Sequence, residues 1–105
     1  MSRTESLAGY LRDQARRKLD RVEIRDRGRN ARSALALLDA TVYVESLAED
    51  DPFLEILGEA GCFGPQGFGE FRPGEEIARI IRFWESGEPG RLLAEITSAL
   101  QGSPV

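Results

Sequence analysis

The 105 residues carry 14 Lys+Arg, 18 Asp+Glu and no histidine, giving a formal net charge of −4 with 41% hydrophobic and 30% charged residues. Those proportions describe one folded domain of ordinary size and exclude a disordered chain. The absence of histidine excludes Ser-His-Asp and Cys-His catalysis, a Cys/His zinc site and an imidazole pH switch.

No apolar run approaches the ~20 residues that span a bilayer, and Met1–Ser6 lacks the basic-then-apolar layout of a secretory signal. The single cysteine, Cys62, allows no intramolecular disulfide. The expectation is a cytoplasmic, single helical domain over residues 1–105, frayed at 1–3 and 102–105, with no cofactor, no metal and no membrane contact. Charge is placed unevenly. Residues 1–32 hold ten Lys+Arg against five acids, while residues 33–105 hold four Arg against thirteen acids. Such a split presents a cationic and an anionic side, and points to contact with something charged.

Residues 4–26 predict an amphipathic helix, since Leu7, Leu11, Ala15, Leu19 and Val22 recur at spacings of four and three. Thr4 is placed as its N-cap, and Glu5 suits the dipole of its first turn. Arg12, Arg16, Arg17, Arg21 and Arg25 occupy the other faces, with Asp13 and Asp20 between them. Residues 21–26 alternate polar and apolar, so a short strand stays open there. Arginines at such spacings grip phosphates bidentately, which suits nucleic acid or a nucleotide phosphate. The interleaved acids cancel much of that field. They suit a solvated face, or a dock for an acidic protein surface.

A second helix is predicted over about 30–49, N-capped by Asn30. Its polar residues Arg32, Asp39, Ser46 and Asp50 fall in one narrow stripe on a 100° wheel, and nearly all the rest is apolar. A helix so apolar belongs at the centre of a bundle, wrapped by its neighbours or by a second copy in a homodimer. Glu45 falls away from the polar stripe, as a buried or interfacial carboxylate or one that snorkels to an edge. Asp50-Asp51-Pro52 opens a short helix carrying Phe53, Leu54, Ile56 and Leu57. Helices follow at 75–86, with Ile77, Ile80, Ile81 and Trp84 on one face, and at 90–101, with Leu92, Leu93, Ile96 and Leu100. The turn 87–90 between them implies antiparallel packing.

The segment 61–74 holds five glycines, two prolines and three phenylalanines, a long connection of the kind that often carries function. Phe63, Phe68 and Phe71, with Arg72, either anchor a partner or tuck their rings back under the loop to seal the core. The glycines are not a phosphate loop, because no Gly-Lys-Ser/Thr and no preceding strand accompany them. Cys62 reads as a buried small hydrophobe.

The fold expected is therefore all-α, a small bundle of four to five helices around a central apolar helix at about 30–49, with a Gly/Phe-rich loop at 61–74. The function expected is that of a small non-enzymatic interaction or regulatory protein, probing partners through the Arg-rich helix or the Phe/Gly loop as a homodimer. Binding of nucleic acid or a nucleotide phosphate through Arg12, Arg16, Arg17, Arg21 and Arg25 is the second reading. A Mg²⁺-dependent enzyme using Glu45, Asp50 and Asp51 is the third.

Overall fold

The computed structural model describes residues 2–85 and 87–102. The expected frayed ends at 1 and 103–105 lie outside those residues. The first helix, α1, spans Arg3–Leu19, and its start is a correction to the loose terminus and the Thr4 cap. Ser2 is the N-cap, accepting the Glu5 N–H at 3.1 Å. The carboxylate of Glu49, remote in sequence, accepts the N–H groups of Arg3 and Thr4 at 3.3 and 3.2 Å and the Thr4 hydroxyl at 2.6 Å. Three of the donors that a helix start leaves open are thereby satisfied.

α1 ends well before residue 26. The N–H groups of Arg21 and Val22 fall back on the carbonyls of Lys18 and Leu19, tightening the last turn. The chain then makes one 3₁₀ turn at Ile24–Asp26. Arg27 and Gly28 take positive φ angles of 59° and 78°. The reason is burial: Leu19 and Val22 stay half exposed and Ile24 fully so, so no core is gained by extending the helix.

The second helix, α2, spans Arg29–Glu45, and Gly28 stands at its N-cap in place of Asn30. Gly28 has no side chain to cap with, and Asp26 does the work from two residues upstream. Its carboxylate accepts the Gly28 N–H at 2.8 Å, the Asn30 side-chain amide at 3.0 Å and the Glu23 N–H at 3.3 Å. Desolvation pushes the Asp26 carboxyl up, but the bonds from Glu23, Asn30 and Gly28 outweigh it and hold the group below its ordinary range. At the other end Ser46 and Leu47 turn back to the carbonyls of Tyr43 and Val44, which closes α2 four residues before the expected limit.

Three further helices complete an all-α fold: α3 at Pro52–Glu59, α4 at Glu75–Arg82 and α5 at Pro89–Gln101. Asp51 caps α3 through the Phe53 N–H at 2.9 Å, with Pro52 in the first turn, as the sequence predicts. The largest interhelical contact joins α1 to α2; α5 then packs on α2, α3 and α4. Alanines at the buried positions 8, 15, 36 and 40 let α1 and α2 approach closely. Leu7, Leu11, Leu37, Val44, Leu54, Leu57, Ile77, Ile81, Leu92 and Ile96 fill the shared core. The molecule measures 43 × 37 × 21 Å along its principal axes, a flat body about two helix diameters thick.

The loop between α3 and α4 owes its glycines to a repeated turn. Gly61, Gly64 and Gly67 each donate their N–H to the carbonyl of the glycine three residues earlier, starting from Gly58. All three have φ between 80° and 83°, where a side chain is strained. Two backbone bonds then pull the loop shut, Gly69 N–H to Phe63 O at 2.6 Å and Arg72 N–H to Cys62 O at 2.7 Å. The buried Ser6 hydroxyl accepts the Phe71 N–H at 2.6 Å and ties the loop to α1.

Candidate interaction surfaces

The loop rings are divided between core and surface. Phe63 is fully buried and Phe71 is 3% exposed, meeting each other at 5.6 Å between centroids, with Tyr10 edge-on to Phe71 at 5.1 Å. These two residues seal the core, the second of the two roles the sequence left open, and the partner-anchor role is corrected for them. Phe68 is 73% exposed. Arg72 is also exposed and among the described residues pairs only with Glu70, two residues away, at 3.3 Å. Cys62 is buried, and burial pushes its thiol above the ordinary value, as suits an unreactive core residue.

Beneath Phe68 lies Arg3, a charged side chain buried at the junction of α1, α3 and the loop. Its guanidinium donates to the Glu49 carbonyl at 2.7 Å and to the Glu55 carboxylate at 3.0 Å. It also lies 5.3 Å from the Phe68 ring centroid and 6.0 Å from that of Phe63. Its Nε has no hydrogen-bond partner among the described residues. Arg3 works as a pin that holds three segments together.

The sequence-predicted arginines do not converge. Arg12 reaches across to Glu45 on α2 at 3.4 Å, so Glu45 is an exposed ion-pair partner and is not buried. Arg16, Arg17, Arg21 and Arg25 are exposed and make no ion pair among the described residues. Asp51 is spent on the α3 cap and Asp50 is exposed. No group of three or more Cys, Asp or Glu able to hold a metal occurs among the described residues. The N-termini of α1 and α2, where an anion would bind, are already filled by Glu49 and Asp26.

Two further surfaces carry exposed apolar or charged side chains. The first is the outer face of α2. The bundle wraps its inner side, burying Ser33, Ala34, Ala36, Leu37, Ala40, Thr41 and Val44. Leu35 and Val42 remain 61% and 68% exposed two turns apart, with Ala31 and Leu38 half-buried beside them. The second is the end where α1, α2 and α4 meet. There Lys18, Arg29, Arg82 and the 68% exposed Phe83 border one cleft. The exposed pair on α2 was latent in the spacing of its apolar residues. The cleft had no local signal, because its residues lie far apart in the chain.

Compared with protein-family models, with curated proteins and with solved structures, the chain matches none. Among the described residues no helix is long and apolar enough to cross a membrane.

Proposed function

We propose that this is a non-enzymatic interaction protein that pairs with a second copy of itself through the outer face of α2. The observation that carries the reading is the exposed pair Leu35 and Val42 on a helix whose inner side, Ala34, Ala36, Leu37, Ala40 and Val44, is buried. Ala31, Leu35, Leu38 and Val42 follow one another at spacings of four, three and four, the repeat of a helix–helix seam.

Charge supports a second copy of the same chain as the occupant. Arg32 and Asp39 lie seven residues apart on the same flank of the seam, and neither forms an ion pair among the described residues. In an antiparallel two-fold pair each flank meets its own copy. With Leu35 on the axis, Arg32 of one protomer meets Asp39 of the other, twice. Covering Leu35 and Val42 contributes about 1–2 kcal/mol for each side chain. Four such side chains do little more than offset the lower end of the association cost, so the pair is weak, with a dissociation constant of about 1 mM.

Sedimentation equilibrium tests this. Mass should rise from that of the 11.6 kDa chain towards twice that value as concentration increases through roughly 10 μM to 1 mM. Leu35→Asp with Val42→Asp should hold the chain monomeric with unchanged helical circular dichroism. A wild-type chain that stays monomeric at about 1 mM overturns the reading.

A further inference from the structure

We propose that the cleft where the end of α1, the start of α2 and the end of α4 meet binds a nucleoside phosphate, with its phosphate on Lys18, Arg29 and Arg82 and its base on Phe83. The site goes beyond the α2 pairing face. None of the five arginines that the sequence singles out lines it.

The cleft has a volume of about 360 Å³, at the small end of ligand pockets. Three cations border it against one acid, Glu85, and that acid is engaged by Arg29 at 3.0 Å. Among the described residues the ion pair of Arg82 is a long contact to Glu75, at 3.8 Å. Lys18 has no carboxylate partner among the described residues. Its ammonium is held below its ordinary value, first by burial and then by Arg21, Arg82 and Arg29, against the opposing pull of Glu85. Like charges are thus crowded at one spot, and an anion set among them relieves the repulsion. A phosphate suits the donors: two guanidinium forks and one ammonium.

The polar groups at the floor are already committed. Ser33 donates to the Trp84 carbonyl at 2.6 Å, and the Asn30 amide to Arg21 O and Asp26. Recognition therefore falls to the cations and the ring. Phe83 follows the last residue of α4 and leaves most of its surface in water, while its neighbour Trp84 is buried. Lys18 Nζ stands 5.9 Å from the Phe83 centroid. The ring thus borders the positive cluster, leaving surface free for a base to stack upon. Inorganic phosphate alone would meet the charges and forgo the ring.

Titration of ¹⁵N-labelled protein with adenosine 5′-monophosphate, inorganic phosphate, adenosine and a 5′-phosphorylated oligothymidylate tests the assignment. The mononucleotide should give saturable shifts at residues 18, 29, 82 and 83, and bind at least tenfold more tightly than phosphate or adenosine. Phe83→Ala should bring its affinity to that of phosphate and leave phosphate binding unchanged. Lys18→Gln with Arg82→Gln should weaken both by tenfold or more. Arg82 and Phe83 are exposed and Lys18 is half-buried, and circular dichroism checks that the variants fold. If the oligonucleotide binds at least tenfold more tightly than the mononucleotide at the same residues, the phosphate comes from a nucleic-acid end. If it binds no better, the ligand is a free nucleotide. Absence of saturable shifts with 10 mM mononucleotide overturns the proposal, and so does equal binding of mononucleotide and phosphate that Phe83→Ala leaves unchanged.

Discussion

At the scale of single residues, the most consequential side chains are polar ones spent inside the fold. Arg3 is 8% exposed and joins α1 to the end of the α2–α3 connection, to Glu55 and to two loop rings. Its partner Glu55 is more than half exposed, so removing Arg3 leaves a carboxylate that water can reach. Arg3→Ala should therefore cost about 2 kcal/mol in urea unfolding, chiefly lost charge-assisted hydrogen bonds and packing, short of the larger penalty of a stranded buried charge. Arg3→Lys should recover less than half, because one ammonium does not serve both acceptors and lie over the rings. Glu49 provides a pH test. Hydrogen bonds from the Thr4 hydroxyl first, then, against some desolvation, from backbone and Ser2, hold its carboxyl below its ordinary value of 4.5. A depressed folded value means that the stabilisation is present above pH 4.5 and lost as pH falls through the folded value. The stability gap between wild type and Glu49→Gln should thus be constant from neutral pH down to about pH 5 and shrink below it. A gap that widens on acidification would contradict the cap.

At the scale of elements, helix existence and order were legible from apolar periodicity, and Asp50-Asp51-Pro52 marked its helix start correctly. Helix ends were less legible, because they depend on long-range partners. Glu49 extends α1 backwards across a gap of 45 residues in sequence, and Asp26 moves the start of α2 to Gly28. The Gly-rich loop was located from composition, but the division of its rings was not, since only the closing bonds of Gly69 and Arg72 decide which rings turn inward. The glycine ladder has its own consequence. Gly64→Ala places a side chain at φ 80° with open space around it, so strain alone should cost about 1 kcal/mol. Gly69→Ala differs. Its φ is not positive, yet its new Cβ would lie 3.0 Å from the Phe63 carbonyl oxygen, a backbone atom that yields only if the loop opens. Thermal denaturation should rank Gly69→Ala at or below Gly64→Ala, and only Gly69→Ala should increase proteolysis within 61–74.

At the scale of the whole molecule, the uneven charge is partly consumed internally. Among the described residues, three of the five ion pairs, Arg3–Glu55, Arg12–Glu45 and Arg29–Glu85, join the basic first third to the acidic remainder. Only Arg3 is buried in its pair, so the other two contribute at most about 1 kcal/mol each. The sequence made the asymmetry plain but not its spending, because partners such as Glu45, Glu55 and Glu85 are assigned by tertiary packing alone. Arg16, Arg17, Lys18, Arg21 and Arg25 form no ion pair among the described residues, so the first third of the chain keeps a net positive charge. The two proposed contacts use this molecule-wide field differently, and one salt series separates them. Pairing through Leu35 and Val42 is mainly apolar, with its charges at the rim. Its dissociation constant should change by less than about threefold between 50 and 500 mM NaCl, since apolar burial is not screened. Nucleotide binding at Lys18, Arg29 and Arg82 relies on exposed charges, and its affinity should fall by about tenfold or more over the same range. Measuring both constants on one preparation makes the comparison internal. If self-association weakens as steeply as nucleotide binding, the copies meet through the basic side and not through α2, and the Leu35→Asp/Val42→Asp pair should then leave the dimer intact.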